Sequence, residues 1–181
     1  MSTRKTRKIK LTNVPMYEPN KWNRNKYIKK SHNCYAYALN LIDKKRATKC
    51  KKMKTKKNCP RPQPGDYAGY TDKFDAKKVT CKRITERMMA DNPFIQKLKK
   101  NQSCPFGFYK TMLYCDKDGS DYHFFRQDNT GLWSHKHGWR LARNDDLKNR
   151  LIHNPKLADK GKYTVYCGTY AVPIESKYKN I

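Results

Sequence analysis

The chain of 181 residues is short of acid and short of apolar residues. Fifteen Asp and Glu stand against 42 Lys and Arg, a formal net charge of +27, and apolar residues make up only 36% of the chain. Solubility alone asks for a net charge of roughly 2–8 in a small domain. A field as large as this one works against a compact isolated monomer and favours polyanions or acidic protein surfaces. Long apolar runs are missing as well. No stretch of about 18 apolar residues occurs, so no membrane-spanning helix is expected. The opening MSTRKTRKIKLTNVP lacks the apolar core of a signal peptide, which points to synthesis and retention in the cytosol or nucleus. Seven cysteines, at positions 34, 50, 59, 81, 104, 115 and 167, include no CxxC pair. Zinc sites usually draw on closely spaced paired ligands, so neither a metal ligand nor a cofactor is expected. Most of the thiols are expected to be reduced, although a Cys50–Cys59 bridge would close the basic loop described next. No zinc finger, RNP sequence or helix-turn-helix signal accompanies the positive charge.

The charge is unevenly spread. Residues 1–30 carry ten Lys or Arg and one acid, Glu18, with few and aperiodic apolar residues, and read as a basic extended arm. Residues 44–57 hold nine basic residues and no acid and read as a solvated or polyanion-facing loop. The expected polyanion-binding residues are therefore Arg4, Lys5, Arg7, Lys8 and Lys10 in the arm. In the loop they are Lys44, Lys45, Arg46, Lys49, Lys51, Lys52, Lys54, Lys56 and Lys57. Residues 31–173 form the domain, and residues 174–181 a tail.

Within the domain the first half has helical spacing and the second half has strand-forming runs. Asn33 is placed to cap a helix running from Cys34 to about Asp43, with Tyr35, Ala38, Leu39 and Ile42 as its buried stripe. The proline-rich CPRPQPGDYAGY forbids regular structure. Residues 79–100 have the spacing of a helix, ITERMMADNPFIQKL, either interrupted at Asp91–Pro93 or restarted there as a second helix with Asp91 or Asn92 as cap and Pro93 at its first position. FYKTMLYC, YHFFRQ, LWSHK and residues 163–172 read as strands separated by DKDGSD and DNTG turns. Helices followed by an antiparallel sheet make an α+β domain.

Cys34 would stand in the first turn of its helix, where partial positive charge favours a thiolate. A nearby imidazole would take its proton, and His123 is the best placed. A three-residue loop at Asn129-Thr130-Gly131 with Gly131 left-handed pairs Phe125 with His135 and brings His135 diagonally beside His123. A loop with an even residue count puts His135 on the other face. His32 precedes the helix and is expected to face solvent. Tyr122, Phe124, Phe125, Trp133 and Trp139 read as core first and as base-stacking faces second.

NCYAYAL, then QPGD, then DYHFFRQDNTGLWSHKHG resemble the papain-like NlpC/P60 and CHAP class of cysteine hydrolases, over roughly residues 31–172. They are similar in particular to proteins of bacteria and large DNA viruses that share the NCYAYAL and WSHKxG patterns. The resemblance implies a papain-like helix packed on an antiparallel sheet. It implies Cys34 as nucleophile, His123 as base and His135 as orienter. His137 stands where those proteins often carry Pro. The Cys34 amide would contribute to an oxyanion hole. Charge and resemblance together favour a basic structural component of a large DNA virus particle. Its expected partners are acidic virion proteins and DNA, and it would be made in the host cytoplasm or nucleus. The runner-up is an active cysteine peptidase or amidase.

Overall fold

The strand-forming runs of the second half pair into one six-stranded antiparallel sheet, and the helices of the first half pack on it. A computed structural model describes residues 14–55, 59–72 and 79–175. In chain order its elements are α1 (Pro19–Asn23), α2 (Lys26–Ser31), α3 (Cys34–Ala38), α4 (Lys44–Lys52), α5 (Cys81–Asp91), β1 (Gln96–Leu98), β2 (Phe108–Cys115), β3 (Tyr122–Gln127), β4 (Trp133–Lys136), β5 (Ala142–Arg143) and β6 (Val165–Pro173). The sheet order is β1-β6-β2-β3-β4-β5. The fold is α+β, as the sequence implies.

Alternation along the strands sends side chains to two different cores. Leu113, Cys115, Tyr122, Phe124, Tyr170 and Val172 pack beneath α3 and α5, with Cys34, Tyr35, Ile84 and Met88. Met112, Tyr114, Phe125 and Trp133 form a second cluster with Ile152 and Tyr163, which lie between β5 and β6. Ile84 and Met88 are four residues apart on α5, so they share one face and insert together. Thr80 caps that helix by accepting from the Arg83 amide at 3.2 Å.

Several local expectations are corrected. Residues 14–30 are not extended. From Pro19 onward they fold into α1 and α2, because Trp22 is fully buried against Tyr37 and His32 and the Asn25 side chain accepts from the Tyr27 and Ile28 amides. Residues 44–52 are helix rather than loop. Asp43 caps α4 by accepting from the Arg46 amide at 2.9 Å, and Lys is a good helix former. The helix from Cys34 stops at Ala38. Asn40 takes φ 51° and the Leu41 amide returns to the Ala36 carbonyl at 2.9 Å, which closes the last turn. No second helix follows Pro93; Gln96–Leu98 pairs with β6 instead. Most of the thiols are not reduced: the Cys50–Cys59 bridge forms, and Cys81–Cys167 is a second disulfide, which leaves Cys34, Cys104 and Cys115 free. Residues 1–13, 56–58 and 176–181, which hold Arg4, Lys5, Arg7, Lys8, Lys10, Lys56 and Lys57 and most of the expected tail, lie outside the described residues.

The QPGD turn is fastened to the C-terminal end of α5. The buried Asp91 carboxylate accepts from the Gly65 and Ala68 amides, both at 2.7 Å, and from the Tyr35 hydroxyl at 2.5 Å. Gly65 has φ +101°, and a Cβ there would meet the Tyr70 ring at 3.0 Å, so the turn needs glycine. Asp91→Ala strands two buried amides and a hydroxyl. It should lower unfolding free energy by about 2–4 kcal/mol. A urea midpoint unchanged from the parent chain would show that Asp91 does not hold the turn.

Candidate functional site

The five residues of α3 are all buried, so the helix is enclosed rather than half-exposed. Asn33 fixes its start, accepting from the Ala36 amide at 3.2 Å and donating from Nδ2 to the Pro62 carbonyl at 2.7 Å. Its other end is held by Arg126, a fully buried side chain of β3. Arg126 donates to the Tyr37 carbonyl at 3.3 Å, the Asn40 side chain at 3.1 Å, the Tyr37 hydroxyl at 3.1 Å, the Met16 carbonyl at 3.0 Å and Asp128 at 3.0 Å. The Tyr37 hydroxyl in turn shares a hydrogen bond with Ser134 on β4 at 2.7 Å.

Cys34 is 5% exposed. Its Sγ lies 3.8 Å from the Tyr122 carbonyl, on the side of β3 that carries Tyr122 and Phe124. Burial pushes the thiol up to about 12, against the pull of backbone hydrogen bonds. Five helical residues supply too little aligned backbone dipole to reverse that cost. The thiolate expected from a helix start is therefore absent near neutral pH.

The imidazoles gather elsewhere. The 128–132 turn takes the three-residue form: the Asp128 amide reaches the Leu132 carbonyl at 2.8 Å, Gly131 has φ 86°, and Phe125 pairs with His135. His123 Nε2 and His135 Nδ1 are then 2.8 Å apart, and His135 Nε2 lies 2.9 Å from the Asp145 carbonyl. A carbonyl only accepts, so His135 Nε2 carries its proton and His123 Nε2 donates to His135 Nδ1. The His123 ring stacks on His137 at 4.1 Å and on Tyr163 at 4.9 Å. Burial lowers His123 well below its ordinary value, with further lowering from His137 and His135. Burial also lowers His135, and lowers His137 to about 4.

The structure thus joins His123 to His135 but makes no hydrogen bond between Cys34 and His123. The two lie on opposite faces of β3, Cys34 with Tyr122 and Phe124, the His123 ring with Phe125. The alternation of YHFFRQ allowed for two faces; which face α3 covers was decided by Arg126 and the Tyr37–Ser134 bond. Sequence reasoning assigned no metal residue, yet one ligating atom from each of His123, His135 and His137 lies within 4.8 Å of the others. The signal was the H-x-H of SHKH set opposite His123 by the turn register.

His32, expected at the surface, is fully buried. Its Nε2 accepts from the Asp43 amide at 2.8 Å, and its Nδ1 is 3.0 Å from the Ile28 carbonyl. It therefore links α2 to the start of α4, and burial lowers it to about 4. Lys136 is also fully buried; its ammonium donates to the carbonyls of Lys29, His32 and Gly138 at 2.8, 2.7 and 2.8 Å, and burial lowers it to about 7. His153 is exposed.

Lys44, Lys45, Lys49, Lys51, Lys52 and Lys54 are exposed on or just after α4, so this helix presents a cationic face. Arg46 departs from the set. It is half-buried and paired with Asp43 at 3.0 Å and Asp66 at 2.8 Å, anchoring the helix instead of facing a ligand. Of the aromatic candidates, Tyr122, Phe124, Phe125 and Trp133 are core, and only Trp139 is exposed, beneath the Lys30 ammonium at 4.1 Å. No helix of the described residues is long and apolar enough to cross a membrane.

No protein-family model matches the chain, and no solved structure matches it. A stretch of 54 residues is 48% identical to "Insoluble matrix shell protein 1" of Ruditapes philippinarum, covering 30% of this chain. The stretch spans only 36% of that relative's length, so the likeness is local.

His32 and His137 are neutral in the fold down to about pH 4, whereas an unfolded imidazole takes its proton near 6.5. Between those values the unfolded chain binds more protons, so stability falls as pH falls. His32 alone should cost at most about 3 kcal/mol across the window. Melting temperature measured from pH 7 to 4 should fall, and fall less steeply in His32→Gln. A flat wild-type profile would contradict neutral burial.

Proposed function

We propose that this protein is a basic structural component of a large assembly, built on a papain-like, cysteine-hydrolase-type scaffold and binding acidic protein or nucleic-acid surfaces. The particle of a large DNA virus is the assembly that the motif resemblance implies. The observation that carries the structural reading is the state of Cys34: a sealed, protonated thiol bonded to a backbone carbonyl, with no imidazole to activate it. A scaffold of this kind can outlast its chemistry. The exposed lysines of α4 and the net charge of +27 supply the adhesive element, since lysine ammoniums bind phosphate and carboxylate chiefly as point charges. Two disulfides suit a particle or another oxidising setting better than the cytosol. The local likeness to a protein named for an insoluble shell matrix is in keeping with a structural role and does not bear on a virion.

A second reading, an active cysteine peptidase or amidase using Cys34, His123 and His135, is favoured by one feature. The His123–His135 hydrogen bond at 2.8 Å is the base-orienter contact that such a site needs. It requires His123 to approach Cys34 from the other side of β3.

Polyanion contact is tested by titrating a short DNA duplex at several salt concentrations. Affinity should fall steeply with salt, with a log–log slope of about −0.9 for each phosphate neutralised. Replacing Lys44, Lys45, Lys49, Lys51 and Lys52 by Gln should flatten that slope without changing the melting temperature. No binding at low salt would remove nucleic acid from the proposal and leave acidic protein surfaces.

A further inference from the structure

The three imidazoles on the far side of β3, from β3, β4 and the residue just past β4, form the one group among the described residues in which three nitrogen ligands converge. We infer that His123, His135 and His137 bind one divalent transition-metal ion of the zinc class, with a remaining coordination position open to the cavity beside Trp139. This goes beyond the structural reading and does not depend on it.

The geometry supports it from the backbone outward. The three-residue turn places His135 on the same face as His123, and His137 follows two residues later on that face. His135 is already oriented as a ligand: its Nε2 proton is committed to the Asp145 carbonyl, which leaves Nδ1 with its lone pair toward His123. This outer hydrogen bond is what metal-bound imidazoles characteristically have. The ligating atoms lie within 4.8 Å of one another. A tetrahedral ion with bonds of about 2.0–2.1 Å wants them roughly 3.3 Å apart. The trio must therefore close to that spacing from separations of up to 4.8 Å and open slightly at the 2.8 Å His123–His135 contact. Metal binding also breaks the stack of His123 on His137, whose rings lie 19° from parallel, because each lone pair lies in its own ring plane and both must turn toward the ion. On binding, His123 gives up its Nε2–H donation to His135 and moves its proton to Nδ1, so both facing nitrogens become donors to the ion.

Surroundings suit a neutral ligand set. The rings are buried among Phe125 and Tyr163. His135 and His137 also line a cavity of about 400 Å³ together with Trp139, Arg143 and Asp145. Three protein nitrogens and one open position define the ligand count of exchangeable zinc sites. Imidazole-only ligation suits zinc, copper or nickel and disfavours magnesium and calcium.

A competing set exists at Cys81, Cys115 and Cys167, but Cys81 and Cys167 are bonded to each other, which leaves Cys115 alone as a thiolate donor there. The experiment separates the two. The full-length, metal-free chain is titrated with zinc chloride by calorimetry, and the zinc-loaded chain is examined by X-ray absorption. The expected result is one ion per chain with a nitrogen and oxygen first shell at about 2.0–2.1 Å and no sulfur at about 2.3 Å. His137→Gln, checked for native circular dichroism, should weaken zinc by at least about 100-fold, beyond the 10–100-fold that losing a supporting outer contact costs. The absorption measurement uses the unaltered chain and stands even if the variant fails to fold. Sulfur in the first shell, no stoichiometric zinc, or undiminished affinity in folded His137→Gln would each overturn the assignment.

Discussion

The buried guanidinium of Arg126 is the constraint on which the arrangement of this molecule turns. A charge wholly removed from water is tolerated only when its donors are met, and here they are met by parts of the chain far apart in sequence. Asp128 lies just past the end of its own strand, the Tyr37 carbonyl and hydroxyl and the Asn40 side chain end the short helix, and the Met16 carbonyl belongs to the N-terminal segment. One side chain thus sets how α3 lies on β3 and β4. Cys34 is a single turn before Tyr37 on a helix with no freedom to rotate. Its thiol is therefore committed to the Tyr122 carbonyl and to the core of Tyr122 and Phe124.

That commitment divides the chemistry between two faces. On the α3 face the polar groups are consumed by structure: Arg126 by α3, Lys136 by three carbonyls, His32 by the start of α4. On the other face the imidazoles of His123, His135 and His137 are bonded or stacked chiefly with one another and with Tyr163. The surface follows a third logic. α4 is held by Asp43, Arg46 and the Cys50–Cys59 bridge while its lysines remain in solvent. Interior anchoring and exterior charge can therefore change independently.

Much of the scaffold was legible in the sequence. The strands of FYKTMLYC, YHFFRQ and WSHK, the Asn33 cap and the Gly131 turn rest on local alternation, capping and a single left-handed glycine, all of which a linear pattern records. What was not legible depended on distant partners. Residues 14–30 looked extended because their one large apolar anchor, Trp22, gains its meaning only against Tyr37 and His32. The basic stretch at 44–52 looked like a loop because a helix with almost no apolar face must be held at its ends, and Asp66, which pairs with Arg46, is 20 residues away. The candidate site was half legible. The three-residue turn, one of two registers the sequence left open, gives the His123–His135 contact, while the side of the sheet on which Cys34 packs is fixed by Arg126, whose burial no local pattern announces.

The central claim is that Cys34 is a packed thiol and not a nucleophile. Its direct test is the rate at which Cys34 is alkylated in the native full-length chain, mapped by mass spectrometry from about pH 6 to pH 9. For a thiol sealed and held protonated, labelling should stay far slower than at the half-buried Cys104 throughout and rise only on unfolding. Rapid labelling of Cys34 near pH 6 that disappears in His123→Ala would contradict the account, because it would reveal a thiolate–imidazolium pair at the position where the structure shows none.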